Sequence, residues 1–65
     1  MVNGHNNEYF VVGYDDVHAF DRRWQNLRGF AHVREARAAQ RWRGGWIVKA
    51  HFAADSGDMM WWEIL

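Results

Sequence analysis

Residues 46–65 read Trp46-Ile47-Val48-Lys49-Ala50-His51-Phe52-Ala53-Ala54-Asp55-Ser56-Gly57-Asp58-Met59-Met60-Trp61-Trp62-Glu63-Ile64-Leu65. Two runs rich in apolar and aromatic residues flank a short polar segment that carries a glycine, which is the pattern of a β-hairpin. A three-residue loop, Asp55-Ser56-Gly57, fits a type I turn followed by a left-handed glycine, with Ala54 and Asp58 as the closing pair. Counting back from that pair sets Phe52 opposite Met60, Ala50 opposite Trp62 and Val48 opposite Ile64. All three pairs are apolar, so this face is the expected core, and Trp46 lies on it. The other face receives Ala53 with Met59, His51 with Trp61, Lys49 with Glu63 and Ile47 with Leu65. An opposite-charge pair thus falls in register. A slip of one residue would mix the two sets.

Upstream of the hairpin, Gly44-Gly45 punctuates a helical pattern from about His32 to Arg43. Val33, Ala36 and Ala39/Gln40 form its small-residue inner face. Before it, Val17, Phe20, Trp24 and Leu27 recur at +3, +4 and +3, the spacing of one helical face, with Asp15 and Asp16 as expected N-caps. Arg28-Gly29 supplies a cationic last turn and a terminating glycine. Residues 22–28 could instead form a strand, but the apolar spacing and the absence of β-branched residues favour helix. Tyr9-Phe10-Val11-Val12-Gly13-Tyr14 reads as a strand apolar on both faces, hence covered on both. Residues 1–7 are polar and turn-prone and are expected to be a mobile head, leaving 8–65 as a single domain. The expected fold is α+β: a small antiparallel sheet of three or four strands, with one long or two short helices on one face, in the order β-α(α)-β-β.

The chain has 65 residues, 49% of them hydrophobic, with five Trp, three Met and no Cys or Pro. Disulfides and thiolate chemistry are therefore excluded. A domain this small without staples relies on large apolar side chains or on a second copy of itself. It cannot bury all of them, so some are expected at the surface, where partner sites concentrate. No segment approaches the ~20 apolar residues of a membrane span. Met1 to Asn7 lacks the basic and apolar regions of a secretory signal, so the expected location is the cytoplasm.

Eight basic and eight acidic residues balance to zero, but unevenly. Residues 1–21 hold four acids and no Lys or Arg, residues 22–49 hold all eight bases and one acid, and residues 50–65 hold three acids. Arg34, Arg37 and Arg41 share one side of the second helix. Guanidinium forks suit phosphate and carboxylate alike, so this side is a candidate surface for an acidic protein or for nucleic acid. The plainer alternative is a solvated face that also neutralises the acids of the first segment and the hairpin. Zero net charge weighs against nucleic acid, whose binding domains are usually basic.

Nothing in the sequence supports catalysis or a cofactor. The four histidines do not share metal-ligand spacing. Asp15-Asp16 is explained by helix capping, and Gly44-Gly45 lacks the Lys-Ser/Thr of a phosphate loop. The residues that point to a partner are Ile47, His51, Met59, Trp61 and Leu65 on the outer sheet face, joined by Arg34, Arg37 and Arg41. Trp and Met at such a face are typical of interface centres. The expected function is a small non-enzymatic protein–protein interaction module, of the adaptor or inhibitor type that mobile elements encode, with a homodimer or protein partner. The alternative is nucleic-acid binding through the arginine-bearing helix.

Overall fold

A computed structural model describes residues 5–65 of the chain. The elements run β1 (His5–Val12), a 3-10 turn (Val17–Ala19), α1 (Phe20–Arg23), a second 3-10 turn (Trp24–Asn26), α2 (Val33–Arg43), β2 (Trp46–Ala53) and β3 (Met59–Ile64). The strands form one antiparallel sheet in the order β1-β2-β3, so the expected α+β class and element order are those observed. β1 starts earlier than anticipated. His5, Asn6 and Asn7 pair with Ala53, Phe52 and His51, which leaves only the first four residues of the proposed head, and these lie outside the described residues.

The segment from Val17 to Asn26 is helical throughout, which settles residues 22–26 against the strand alternative. Its winding changes with the spacing of its apolar residues. The +3 steps from Val17 and from Trp24 lie in 3-10 turns, which have three residues per turn, and the +4 step from Phe20 lies in α1. Val17, Phe20, Trp24 and Leu27 all reach the core. Phe20 is fully buried, with its ring edge-on to Phe10 (5.1 Å between centroids) and to Trp62 (5.3 Å). Trp24 lies 4.9 Å from Phe52. Each such aromatic pair adds roughly 0.5–1.5 kcal/mol to the burial term. Asp16 does not cap the segment with its side chain; it pairs with exposed Arg23 at 3.6 Å instead.

The core cluster draws Phe10, Val12, Val48, Ala50 and Phe52 from one face of the sheet. Ala36 and Ile47 are also buried but stand outside this cluster. The chain leaves the first helical segment, bridges the outer edge of β1 through Phe30, and then enters β2 on the other side of β1. α2 must therefore cross β1, and it packs on β1 and β2 over the face that carries Tyr9, Val11 and Ile47. The expectation of helices on one face is corrected for α2: strand β1 is apolar on both sides, so both need cover. Ala36 is the buried residue of α2, as the inner stripe requires. Glu35 accepts a hydrogen bond from the His32 backbone N–H at 3.2 Å at the start of the helix. At its end, the Gln40 amide donates to the Gly45 carbonyl at 2.9 Å. Gly45 has φ +96°, and a Cβ there would overlap the Val12 carbonyl oxygen.

The hairpin departs from expectation at its tip. Ala53 donates to the Asp58 carbonyl and accepts from the Gly57 N–H, so the loop is Ala54 to Gly57, four residues closed by Ala53 and Asp58. Gly57 is left-handed as anticipated, at φ +75°. Phe52 then faces Met59 rather than Met60. A bulge in β3 absorbs Met60, and beyond it His51–Trp61, Ala50–Trp62, Lys49–Glu63 and Val48–Ile64 pair as expected. The extra loop residue and the bulge cancel, because the core face needs Trp62 inward whatever the turn does.

Gly45→Ala combines a disfavoured backbone with a steric overlap and is expected to lower stability by about 2 kcal/mol or more. Gly57→Ala meets open space and is expected to lower it by only about 1 kcal/mol. Urea denaturation of the two variants checks the difference.

Candidate functional site

β3 lies at the edge of the sheet, and its side chains are largely exposed. Met60, Trp61, Ile64 and Leu65 are each about half open to solvent. Trp61 points away from Phe20 and stacks on His51, with ring centroids 3.5 Å apart and planes 18° from parallel. His51 is only 9% exposed, and its Nε2 lies 3.3 Å from the Glu63 carboxylate. The stack and the carboxylate hold His51 and prop the Trp61 ring with one face outward. Trp62, the next residue, packs inward on Phe20. Adjacent tryptophans on opposite faces are what a strand's two-residue period dictates.

Three of the expected outer-face residues are not available there, His51 because it lies buried beneath Trp61. Ile47 is 3% exposed because α2 covers its end of the face, although its carbonyl still accepts the Leu65 N–H at 2.9 Å. Met59 packs against the core cluster as the partner of Phe52. The four-residue loop moves Met59 to the core side and leaves Met60 exposed. Sequence reasoning missed Met60 for that reason, and Ile64 because its core-face position lies beyond the reach of the helical segment.

Arg34, Arg37 and Arg41 are exposed on α2, as their spacing requires. The idea that the arginines neutralise the chain's acids is not met. Among the described residues Arg23 alone forms an ion pair with a carboxylate, and the other six arginines form none. Arg28 instead lies over the Phe30 ring, 5.0 Å from its centroid. Trp42 is 92% exposed, since it falls off the Val33–Ala36–Gln40 stripe. It borders a shallow hollow shared with Arg28, Phe30, Glu35 and Arg43. No group of three His, Asp or Glu side chains suited to a metal ion occurs among the described residues. No helix among them is long and apolar enough to cross a membrane.

The two tryptophans of β3 should respond differently to truncation. Trp62→Ala removes a core ring and is expected to lower stability by about 3–5 kcal/mol. Trp61→Ala loses mainly the His51 stack and is expected to lower it by about 1 kcal/mol. Denaturant midpoints at a common slope measure both.

No family model matches the chain, and neither a curated protein nor a solved structure matches it.

Proposed function

We propose that the chain is a non-enzymatic protein-interaction module. It presents two surfaces: the apolar edge strand β3 and the arginine face of α2. The observation that carries this reading is the exposure of Met60, Trp61, Ile64 and Leu65 together on one strand and the residue that follows it. The core closes without them, around Phe10, Phe20, Val48 and Phe52. Large exposed apolar side chains gathered on one edge strand are the usual material of association surfaces in small domains. Arg34, Arg37 and Arg41 supply forked donors that have no ion-pair partner among the described residues, suited to the carboxylates of an acidic protein segment.

Nucleic-acid binding is the second reading, favoured by Trp42, which is almost wholly exposed at the arginine-bearing end of α2. Trp faces stack on unpaired bases and arginines contact phosphates. A formal net charge of zero counts against it, because the acids of the rest of the surface repel a polyanion.

A Glu-rich peptide and an oligothymidylate strand, titrated separately over a range of salt concentrations, distinguish the two. The peptide is expected to bind, and Arg34→Gln/Arg37→Gln/Arg41→Gln is expected to weaken it by roughly tenfold, the sum of three partly screened ion pairs. Binding of the oligonucleotide alone, with a steep loss on added salt, would transfer the arginine face to the second reading.

A further inference from the structure

We infer that β3 pairs with β3 of a second copy of this chain, antiparallel and about a two-fold axis at Trp62, to form a continuous six-stranded sheet. The inference rests on the reading of β3 as an interaction surface and deepens it by naming the occupant.

The two edges of the sheet are treated differently. Along β1, Tyr9 donates to the Phe30 carbonyl at 2.9 Å and accepts from the Phe30 N–H at 2.7 Å, so a bridge from outside the strands occupies that edge. Among the described residues nothing pairs with the outer side of β3. Edge strands that stay single usually carry lysine, proline or an inward charge. β3 reads Met-Met-Trp-Trp-Glu-Ile, and its one charge, Glu63, is engaged by His51. α2 lies over β1 and β2, which leaves the approach to β3 open.

The backbone specifies which groups are free. In an antiparallel pair, residues alternate between facing the neighbour and facing away. Leu65 donates to the Ile47 carbonyl, so Leu65, Glu63 and Trp61 turn their backbone groups toward β2. Trp62 and Ile64 turn theirs outward. The same alternation on β1 turns Tyr9 outward, where Phe30 bonds it.

Charge selects among the symmetric registers. An axis at Glu63 would set two carboxylates directly opposite each other, which is destabilising. An axis at Trp62 sets the free N–H and C=O of each Trp62 against those of the other. It places Glu63 opposite the second copy's Trp61. The two Trp61 rings become diagonal neighbours, within reach of aromatic contact, on the part of the sheet face that α2 does not cover. The interface is self-complementary, as a two-fold contact must be. The zero formal charge of the chain adds no repulsion to self-association.

The test uses a full chain made by chemical synthesis with the Trp62 backbone nitrogen methylated. This removes the outward N–H and leaves every side chain in place. In sedimentation equilibrium, the unmodified chain is expected to run at twice its 7.7 kDa mass. The methylated chain, with an unchanged circular dichroism spectrum, is expected to dissociate roughly tenfold or more readily, because two symmetry-related hydrogen bonds are lost. Ile64→Lys, which charges an exposed edge position, provides a second route to the monomer should the methylated chain not fold. An unmodified chain that stays monomeric up to about 1 mM, or a dimer indifferent to both changes, overturns the inference. A monomer that still binds the Glu-rich peptide overturns the dimer alone; loss of both overturns the interaction module as well.

Discussion

Phe20 touches the rings of Phe10 on β1 and Trp62 on β3, so one side chain from the helical segment spans the sheet from edge to edge. The rest of the architecture is arranged around that contact. β2 runs between the two outer strands and offers small or medium residues, Val48 and Ala50, beneath Phe20. Trp24 and Phe52 extend the same aromatic layer toward the hairpin tip. Burial of this layer is the main favourable term available to a 65-residue chain without disulfides. It also explains why β3 keeps its place even though, apart from Met59, its other side chains face solvent. Trp62 anchors the strand from the inside, and the remaining apolar residues are free to meet another surface.

The bulge at Met60 is where local and global demands meet. The loop closes on Ala53 and Asp58, one residue earlier on the β2 side than the turn residues alone imply. Without compensation, every later residue of β3 would have changed face, and Trp62 would have pointed to solvent. One extra residue in β3 restores the pairing of Ala50 with Trp62 and of Lys49 with Glu63. Its by-product is an exposed methionine beside Trp61. The proposed interaction surface thus lies where the fold corrects its register, in keeping with the frequent placement of bulges at sheet edges and functional sites.

The two candidate surfaces differ in kind. The β3 edge offers apolar rings and unpaired backbone groups, which favour a partner strand. The α2 face offers forked cations on a helix that lies over β1 and β2, away from that edge. The proposed contacts with a second copy and with an acidic partner therefore use separate surfaces. The uneven placement of acids and bases along the sequence becomes a set of arginines of which, among the described residues, Arg23 alone pairs with a carboxylate.

Much of this was legible in the residues themselves. The two-residue period of 46–53 and 59–64 placed Trp61 and Trp62 on opposite faces, and the 3-4-3 spacing of Val17, Phe20, Trp24 and Leu27 identified the residues that reach the core. Gly44-Gly45 marked the end of α2 because the chain there needs a backbone that only glycine adopts easily. What the sequence could not disclose were properties of several segments at once. The loop length depends on where the Ala53–Asp58 bonds close, and so does the side on which Met59 falls. The burial of Ile47 depends on which face α2 crosses, and that follows from Phe30 bridging β1 on its outer edge. Local pattern is set by the repeat of one segment; register, cover and edge exposure are set by competition between segments for the same apolar surface, and only the assembled chain resolves it.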